Sequence, residues 1–253
     1  MIQSVDRALR VLAVLSGGRR MGLGEIATQL GLPPSTVHGI IRTLLAHGMV
    51  VQEHDSGRYR LGPATLRLGN VYLDTLELRS RVAPWAEDLA ARTGLAVRTG
   101  VLLLREVVVV HHVPRPDGSR QMPEVGIVIP AHACALGKAM LAFDDTAIAR
   151  TLDDAAEGLA SMTGDTVTDP AALKTQLDDA RLTGLAVEVE EAVLGECGIA
   201  APIADATGRV AGAVALVVPS TEWPVDQGVL DTLRTAARST SRELGAPRWP
   251  PTP

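Results

Sequence analysis

The side chains best able to do chemistry are His111, His112, His132, Cys134, Lys138 and Cys197. Gly137–Lys138 invites a phosphate-loop reading. That loop needs a glycine five residues before Gly137, where His132 stands, and a Ser or Thr after the lysine, where Ala139 stands. A Cys134 nucleophile activated by His132 fails on spacing, because side chains two apart rarely face each other and no third residue is placed to orient the histidine. A buried cysteine that packs as a small hydrophobe is the simpler role. A metal site would draw on His111, His112, His132, Cys134 and Cys197. Adjacent histidines on a strand point to opposite faces, so at most one of His111 and His112 could join. Neither Cys-x-x-Cys nor His-x-x-x-His spacing occurs among them. A binding role remains: Cys134–Ala135–Leu136 open a helix whose free backbone N–H groups can hold an anion such as a carboxylate. The reading is therefore no enzyme, no cofactor and no metal. A metal- or redox-sensing protein using Cys134 and Cys197 stays open as the alternative, followed by a small-molecule enzyme.

These groups must be positioned by a chain of 253 residues, enough for one large domain or two ordinary ones. Apolar residues make up 46% and aromatics only 2%, so the core is built from Leu, Val, Ala and Ile. Two cysteines make neither a disulfide scaffold nor a four-Cys zinc site, and they fit a reducing compartment. The apolar run Val11–Leu15 is too short for a signal-peptide core, and no run approaches the roughly 18 apolar residues of a membrane span. A cytoplasmic location is expected. Charge divides the chain: residues 1–62 hold seven arginines against four acids, whereas the remainder holds 17 basic and 25 acidic groups. A basic leading segment on an acidic body suggests two modules with different partners.

The leading segment reads helix, helix, short turn, helix, hairpin. Ser4 can cap a first helix whose apolar face is Val5, Ala8, Leu9, Leu12 and Leu15. Leu23–Leu30 forms the second, with Gly31 ending it. Ser35 or Pro34 opens a third that buries Val37, Ile40, Ile41, Leu44 and Leu45. Strands at Met49–Glu53 and Arg58–Leu61 follow, joined by a turn with good hairpin chemistry. This is the order of a winged helix-turn-helix, in which the third helix offers its N-terminal residues to the major groove of DNA. The candidate DNA contacts are Ser35, Thr36, His38 and Arg42 on that helix, Arg58 and Arg60 on one face of the wing, and Ser4 and Arg7 on the first helix. Beyond Gly62–Pro63 a helix is expected at 64–79 and another at 84–93. Strands follow at 96–104, 106–113 and 125–129, helices at 135–143, 145–153 and 170–184, strands at 185–190, 197–204 and 209–218, and a closing helix at 225–244. Mixed strands with helices at both ends make an α+β protein. The expected division is a DNA-binding domain at 1–62, a linker helix at 63–80, an effector-binding domain at 81–245 and a disordered tail at 246–253.

Several motifs then carry a family resemblance. Gln3–Leu12 (Gln-Ser-Val-Asp-Arg-Ala-Leu-Arg-Val-Leu), Gly31–His38 (Gly-Leu-Pro-Pro-Ser-Thr-Val-His) and Arg58–Gly62 (Arg-Tyr-Arg-Leu-Gly) resemble the IclR family of bacterial transcription regulators. So do Pro130–Ala142 (Pro-Ala-His-Ala-Cys-Ala-Leu-Gly-Lys-Ala-Met-Leu-Ala), Glu190–Glu191 with Gly195, and Ala200–Ile203. The resemblance implies a winged helix-turn-helix joined by a linker helix to a GAF-like α/β domain that binds a small-molecule effector. It also implies a homodimer or homotetramer on a double-stranded, partly palindromic operator, with repression as the default. Carried over residue by residue, the effector wall would be Met122, Ile129, Cys134, Ala135, Leu136, Glu188, Glu196, Gly198, Ala215 and Val217. Ala215 and Val217 stand where family members that bind very small acids have serines, and Cys197–Gly198 stands where Arg–Cys is usual. A larger, more apolar effector is expected from these departures, an aromatic or acyl acid or its amide. Gly39 and Pro34 stand where basic residues are frequent, so the wing and dimerisation are expected to supply part of the DNA affinity.

Overall fold

The computed structural model describes residues 2–17, 20–118, 122–153 and 158–251. The chain divides into two compact units, Met1–Thr75 and Leu76–Pro253. In the first, helices α1 (Gln3–Ser16), α2 (Leu23–Leu30) and α3 (Pro34–Ala46) precede a hairpin of β1 (Val50–Gln52) and β2 (Tyr59–Leu61), and α4 (Pro63–Thr75) closes the unit. Gly31 ends α2 at φ 63°, and Pro34 occupies the first turn of α3, where a missing N–H is no loss. Val11, Leu15, Ile26, Ala27, Val37, Ile41, Leu44, Val50 and Tyr59 join in one core that holds the third helix against the other two and the hairpin.

Two expectations for α1 are corrected. Ser4 is not its cap: Ile2 occupies that position and no side chain caps the helix. The buried face turns on Val11 and Leu15, while Val5 and Leu9 are exposed. The unit is small, so its core reaches only the C-terminal half of α1.

The helix expected at 64–79 is in fact two. The Thr75 hydroxyl donates back to the carbonyls of Val71 and Tyr72, a local bond that competes with helix propagation. Leu76 is extended (φ −80°, ψ 98°), and α5 (Glu77–Thr93) starts beyond it. The helix expected from Pro84 therefore begins seven residues earlier and carries Pro84 inside it. The buried stripe Leu78, Val82, Ala86, Leu89 and Ala90 explains why: a continuous apolar face stabilises the helix through the proline.

The second unit is built on a six-stranded antiparallel sheet. Its strands are β3 (Ala96–Leu103), β4 (Glu106–Val113), β5 (Val128–Pro130), β6 (Ala186–Val189), β7 (Glu196–Ala204) and β8 (Val210–Pro219), in the order β5-β4-β3-β8-β7-β6. The strand expected at 125–129 starts later because Val125–Gly126 form a turn, with Gly126 at φ 92°. The helices are α6 (Ala135–Leu141), α7 (Asp145–Asp153), α8 (Pro170–Thr183) and α9 (Gln227–Glu243). Strand alternation sorts the residues by face. Val97, Cys197, Ile199, Ala201, Val214, Leu216 and Val218 pack with α5 and α9 in one core. Ala200, Ala213 and Ala215 pack with α6 and α8 in another. The second face is lined by small residues, which lets α6 approach closely.

The tail is not a free end through Pro251. The Trp249 indole N–H donates to the Pro202 carbonyl at 2.7 Å, and the Arg238 guanidinium lies over its ring, 5.3 Å from the centroid. A tryptophan buries enough apolar area to hold a proline-rich segment in place. Residues 252 and 253 lie outside the described residues.

Candidate functional site

On α3, Ser35, His38, Gly39 and Arg42 are exposed and Thr36 is half-buried. The core fixes this presentation, because Val37, Ile41 and Leu44 take the opposite side of the helix. Ser4 and Thr36 line one shallow groove between α1 and α3, together with Gly39 and Ile40. Arg7 is half-buried on α1. The wing arginines are not free-standing. Arg58 forms a forked pair with Glu25 of α2, both contacts 3.1 Å, and donates to the Arg20 carbonyl at 2.6 Å. The backbone N–H of Gly22 and the charge of Arg58 hold the Glu25 carboxyl below its ordinary value. Arg60 lies 3.6 Å from Glu53, which also pairs with Arg20. The two arginines flank the buried Tyr59 and are both exposed, as strand alternation predicts, but each is held by a glutamate. Arg58 precedes β2 and reaches back to the second helix.

In the second unit, the sheet and α6 bound a half-open cavity of about 230 Å³. It is lined by Ile129, Cys134, Ala135, Leu136, Glu188, Glu196, Gly198, Ala215 and Val217, so nine of the ten wall residues expected from the sequence come together. Met122 does not join them and is 82% exposed. It lies before β5, in the segment that runs along the surface into the Val125–Gly126 turn. The cavity adds residues that sequence reasoning missed: Arg98, Ile127, Val128, Met162, Ala192, Val193 and Leu216. For Arg98 there was a signal. It is the one charged residue of Ala96–Leu103, and strand alternation places it on the face opposite the Val97 core.

Gly198 shapes the wall. A Cβ there would meet Glu188 Oε1 at 2.9 Å and the Ala135 methyl at 3.1 Å. Glu188 stands directly across the ladder from Gly198, so the missing side chain is what admits its carboxylate. Burial pushes that carboxyl up to about 7, against the pull of the Glu191 N–H, which donates to Oε2 at 3.0 Å. Arg98 is gripped from two sides. Glu124 takes its Nε and its Nη2, the latter at 2.8 Å, and Glu196 Oε2 accepts from Nη1 and Nη2 at 3.2 Å each. Burial works against the guanidinium charge, but these carboxylates outweigh it and raise its pKa.

The sequence features tested first find other roles. At the start of α6, where Cys134–Ala135–Leu136 were expected to leave backbone N–H groups free for an anion, the next N–H, of Gly137, donates to Cys134 Sγ at 3.4 Å. The Gly-Lys pair is structural. A Cβ on Gly137 would lie 2.0 Å from the Ala131 carbonyl oxygen. Lys138 is fully buried and hydrogen-bonds Glu191, whose second oxygen accepts from the Val167 N–H at 3.1 Å. Burial pushes the Cys134 thiol up to about 12 and also raises that of Cys197, which leaves both poor nucleophiles. The two thiols sit in cores on opposite faces of the sheet. His132 donates from Nε2 to the Ala160 carbonyl at 2.8 Å. His111 feels Arg79 and Glu87 of α5, His112 feels Glu124 and Arg98, and burial lowers both. Among the described residues, no three His, Cys, Asp or Glu side chains are grouped to hold a metal, and no helix is long and apolar enough to cross a membrane.

Comparison with known proteins agrees with this architecture. Residues 4–54 match the IclR helix-turn-helix domain, and residues 70–244 match the bacterial transcriptional regulator IclR C-terminal domain. The glycerol operon regulatory protein of Streptomyces griseus is 45% identical, covering 98% of each chain. An IclR transcriptional regulator from Alicyclobacillus acidocaldarius superposes with a TM-score of 0.80 at 26% identity, over 97% of this chain and 98% of the other. An IclR homologue from Microbacterium hydrocarbonoxydans, complexed with 4-hydroxybenzoate, superposes with a TM-score of 0.76 at 26% identity, over 96% and 99% of the two chains. The chain belongs to the IclR family: it is a transcriptional regulator with an N-terminal helix-turn-helix DNA-binding domain and a C-terminal α/β domain, not an enzyme.

Proposed function

We propose that the protein is a ligand-responsive repressor that holds a partly palindromic operator as a dimer or dimer of dimers and takes its effector in the 230 Å³ cavity. The observation that carries this reading is the pairing, in one chain, of an exposed helix end suited to a DNA groove with a half-open, mostly apolar cavity. At the helix, Ser35, Thr36, His38 and Arg42 address base edges and phosphates, with Ser4 and Arg7 beside them. Arg58 and Arg60 contribute by exchanging Glu25 and Glu53 for phosphate oxygens. Exposed ion pairs contribute little, so the exchange is inexpensive. Leu66, Leu68, Val71 and Tyr72 leave α4 with an exposed apolar surface and no buried residue, which suits pairing with a second copy. The cavity suits a small molecule with an apolar body. It lies below the usual size range of drug-binding pockets, about 300–1,000 Å³. The effector acts only if it binds the DNA-competent and DNA-incompetent conformations with different affinity. The Streptomyces griseus relative is named for a glycerol operon, which supports control of a small-carbon-source operon by this chain.

The test is a fluorescence-anisotropy titration on DNA from upstream of the protein's own gene, at two salt concentrations, with and without candidate small molecules. Saturable binding that weakens with salt and that one compound releases is the expected result. Binding that no compound alters, together with compounds that occupy the cavity, would remove the effector role.

A further inference from the structure

We infer that the cavity selects a small neutral molecule bearing a hydroxyl group and rejects the carboxylate of the same shape. This inference rests on the reading of the cavity as the effector site, and it replaces the acid expected from the sequence with a neutral ligand. Among the described residues lining the cavity, Arg98 is the one cation, and it faces two lining carboxylates, Glu188 and Glu196. The guanidinium is already engaged: Glu124 holds Nε and Nη2, and Glu196 holds Nη1 and Nη2 at 3.2 Å each. Lys138 is the neighbouring cation in sequence on α6. It is buried against Glu191 and does not line the cavity. On α6 the Gly137 N–H is also engaged, since it donates to Cys134 Sγ.

An anionic ligand that pairs with Arg98 would have to displace Glu196, and one held elsewhere in the cavity would still face Glu188 and Glu196. Either arrangement brings the ligand's charge against glutamate carboxylates in a partly buried site, where unpaired like charges are costly. A hydroxyl has no such difficulty. It can donate to Glu188 or Glu196, both of which line the space, and add no charge. The apolar remainder of the wall, including Val128, Leu136 and Val217, accepts the carbon skeleton of the same molecule.

Isothermal titration calorimetry on the full chain at pH 8 tests this with two matched pairs: glycerol against glycerate, and 4-hydroxybenzyl alcohol against 4-hydroxybenzoate. At least one alcohol is expected to bind, and each alcohol that binds should do so at least about tenfold tighter than its acid, since the acid brings like charges together inside the site. Glu196→Gln, which removes one carboxylate from Arg98, should narrow that ratio by about tenfold. An acid that binds as tightly as its alcohol to the unaltered protein, or the failure of both alcohols to bind, overturns the inference. The DNA titration separates the two claims: an alcohol that wins by calorimetry yet leaves operator binding unchanged supports the selectivity while removing the effector role.

Discussion

Arg58 in the wing and Lys138 beneath the cavity each hold one glutamate, yet the two pairs are built for opposite purposes. The Arg58–Glu25 pair is exposed at both ends, so water competes for it and salt screens it. Such a pair can hold the hairpin against α2 and still be exchanged for a phosphate. The Lys138–Glu191 pair is sealed from solvent, and its glutamate is fixed further by the Val167 N–H. Neither member can leave without stranding the other. Charge serves as a movable contact in the first unit and as a fixed brace in the second, and the local dielectric makes the difference.

The largest expected effect tests the brace. Lys138→Met should destabilise the α/β unit by about 3–5 kcal/mol, because it leaves Glu191 charged and buried. Adding Glu191→Leu should recover most of the loss. Urea unfolding of the two variants measures both, and a single variant as stable as the parent would mean that the brace does no more than the wing pair.

Glu188 gives the next effect. Its carboxyl titrates near 7 in the folded protein because burial disfavours the charge, against 4.5 for the ordinary side chain. The folded state therefore holds a proton that the unfolded state has already lost. This contribution to stability is fully present below about 4.5 and is lost as pH rises through about 7. Glu188→Gln should flatten that decline, by at most about 3 kcal/mol across the window. Urea midpoints measured from pH 4.5 to pH 8 show it, and parallel curves for the parent and the variant would contradict it.

On the exposed side the effects are on binding rather than folding. Arg42→Ala should weaken operator binding by about 1–3 kcal/mol while leaving the unfolding transition in place. Glu25→Gln is the smallest change. By releasing Arg58 it should raise DNA affinity by less than about tenfold and steepen the salt dependence by about one phosphate contact. A loss of affinity instead would show that Glu25 positions Arg58 for DNA rather than restraining it.

Much of the first unit was legible because its signals are local. Leu23–Leu30 carries its own periodicity, Gly31 and Pro34 punctuate the turn, and the Ser56–Gly57 segment fixes the hairpin. The misreadings there came where a local signal met a tertiary alternative. Ser4 is a good capping residue, but the helix starts before it. The wing face of Arg58 and Arg60 about the buried Tyr59 was legible, whereas the glutamates that hold the two arginines were not, since a strand pattern does not locate them. The break at Leu76 was hidden because α4 and α5 run on without a glycine or proline between them.

The cavity divides in the same way. The family motifs placed Cys134–Leu136, Glu188 and Gly198 near one another, but their chemistry depends on what surrounds them. The sequence by itself determined the two-part division of charge, the helix-turn-helix order, the alternation of the strands and the lack of a phosphate loop at Gly137–Lys138, because each of these depends on neighbours a few residues apart. Only the tertiary structure decided that Lys138 is a brace, that Arg98 is closed off by Glu124 and Glu196, that Met122 lies outside the wall and that Trp249 anchors the tail. Those outcomes join residues 26 to 98 positions apart. Pairings at such distances depend on packing and on desolvation, and neither can be read from the spacing of residues along the chain.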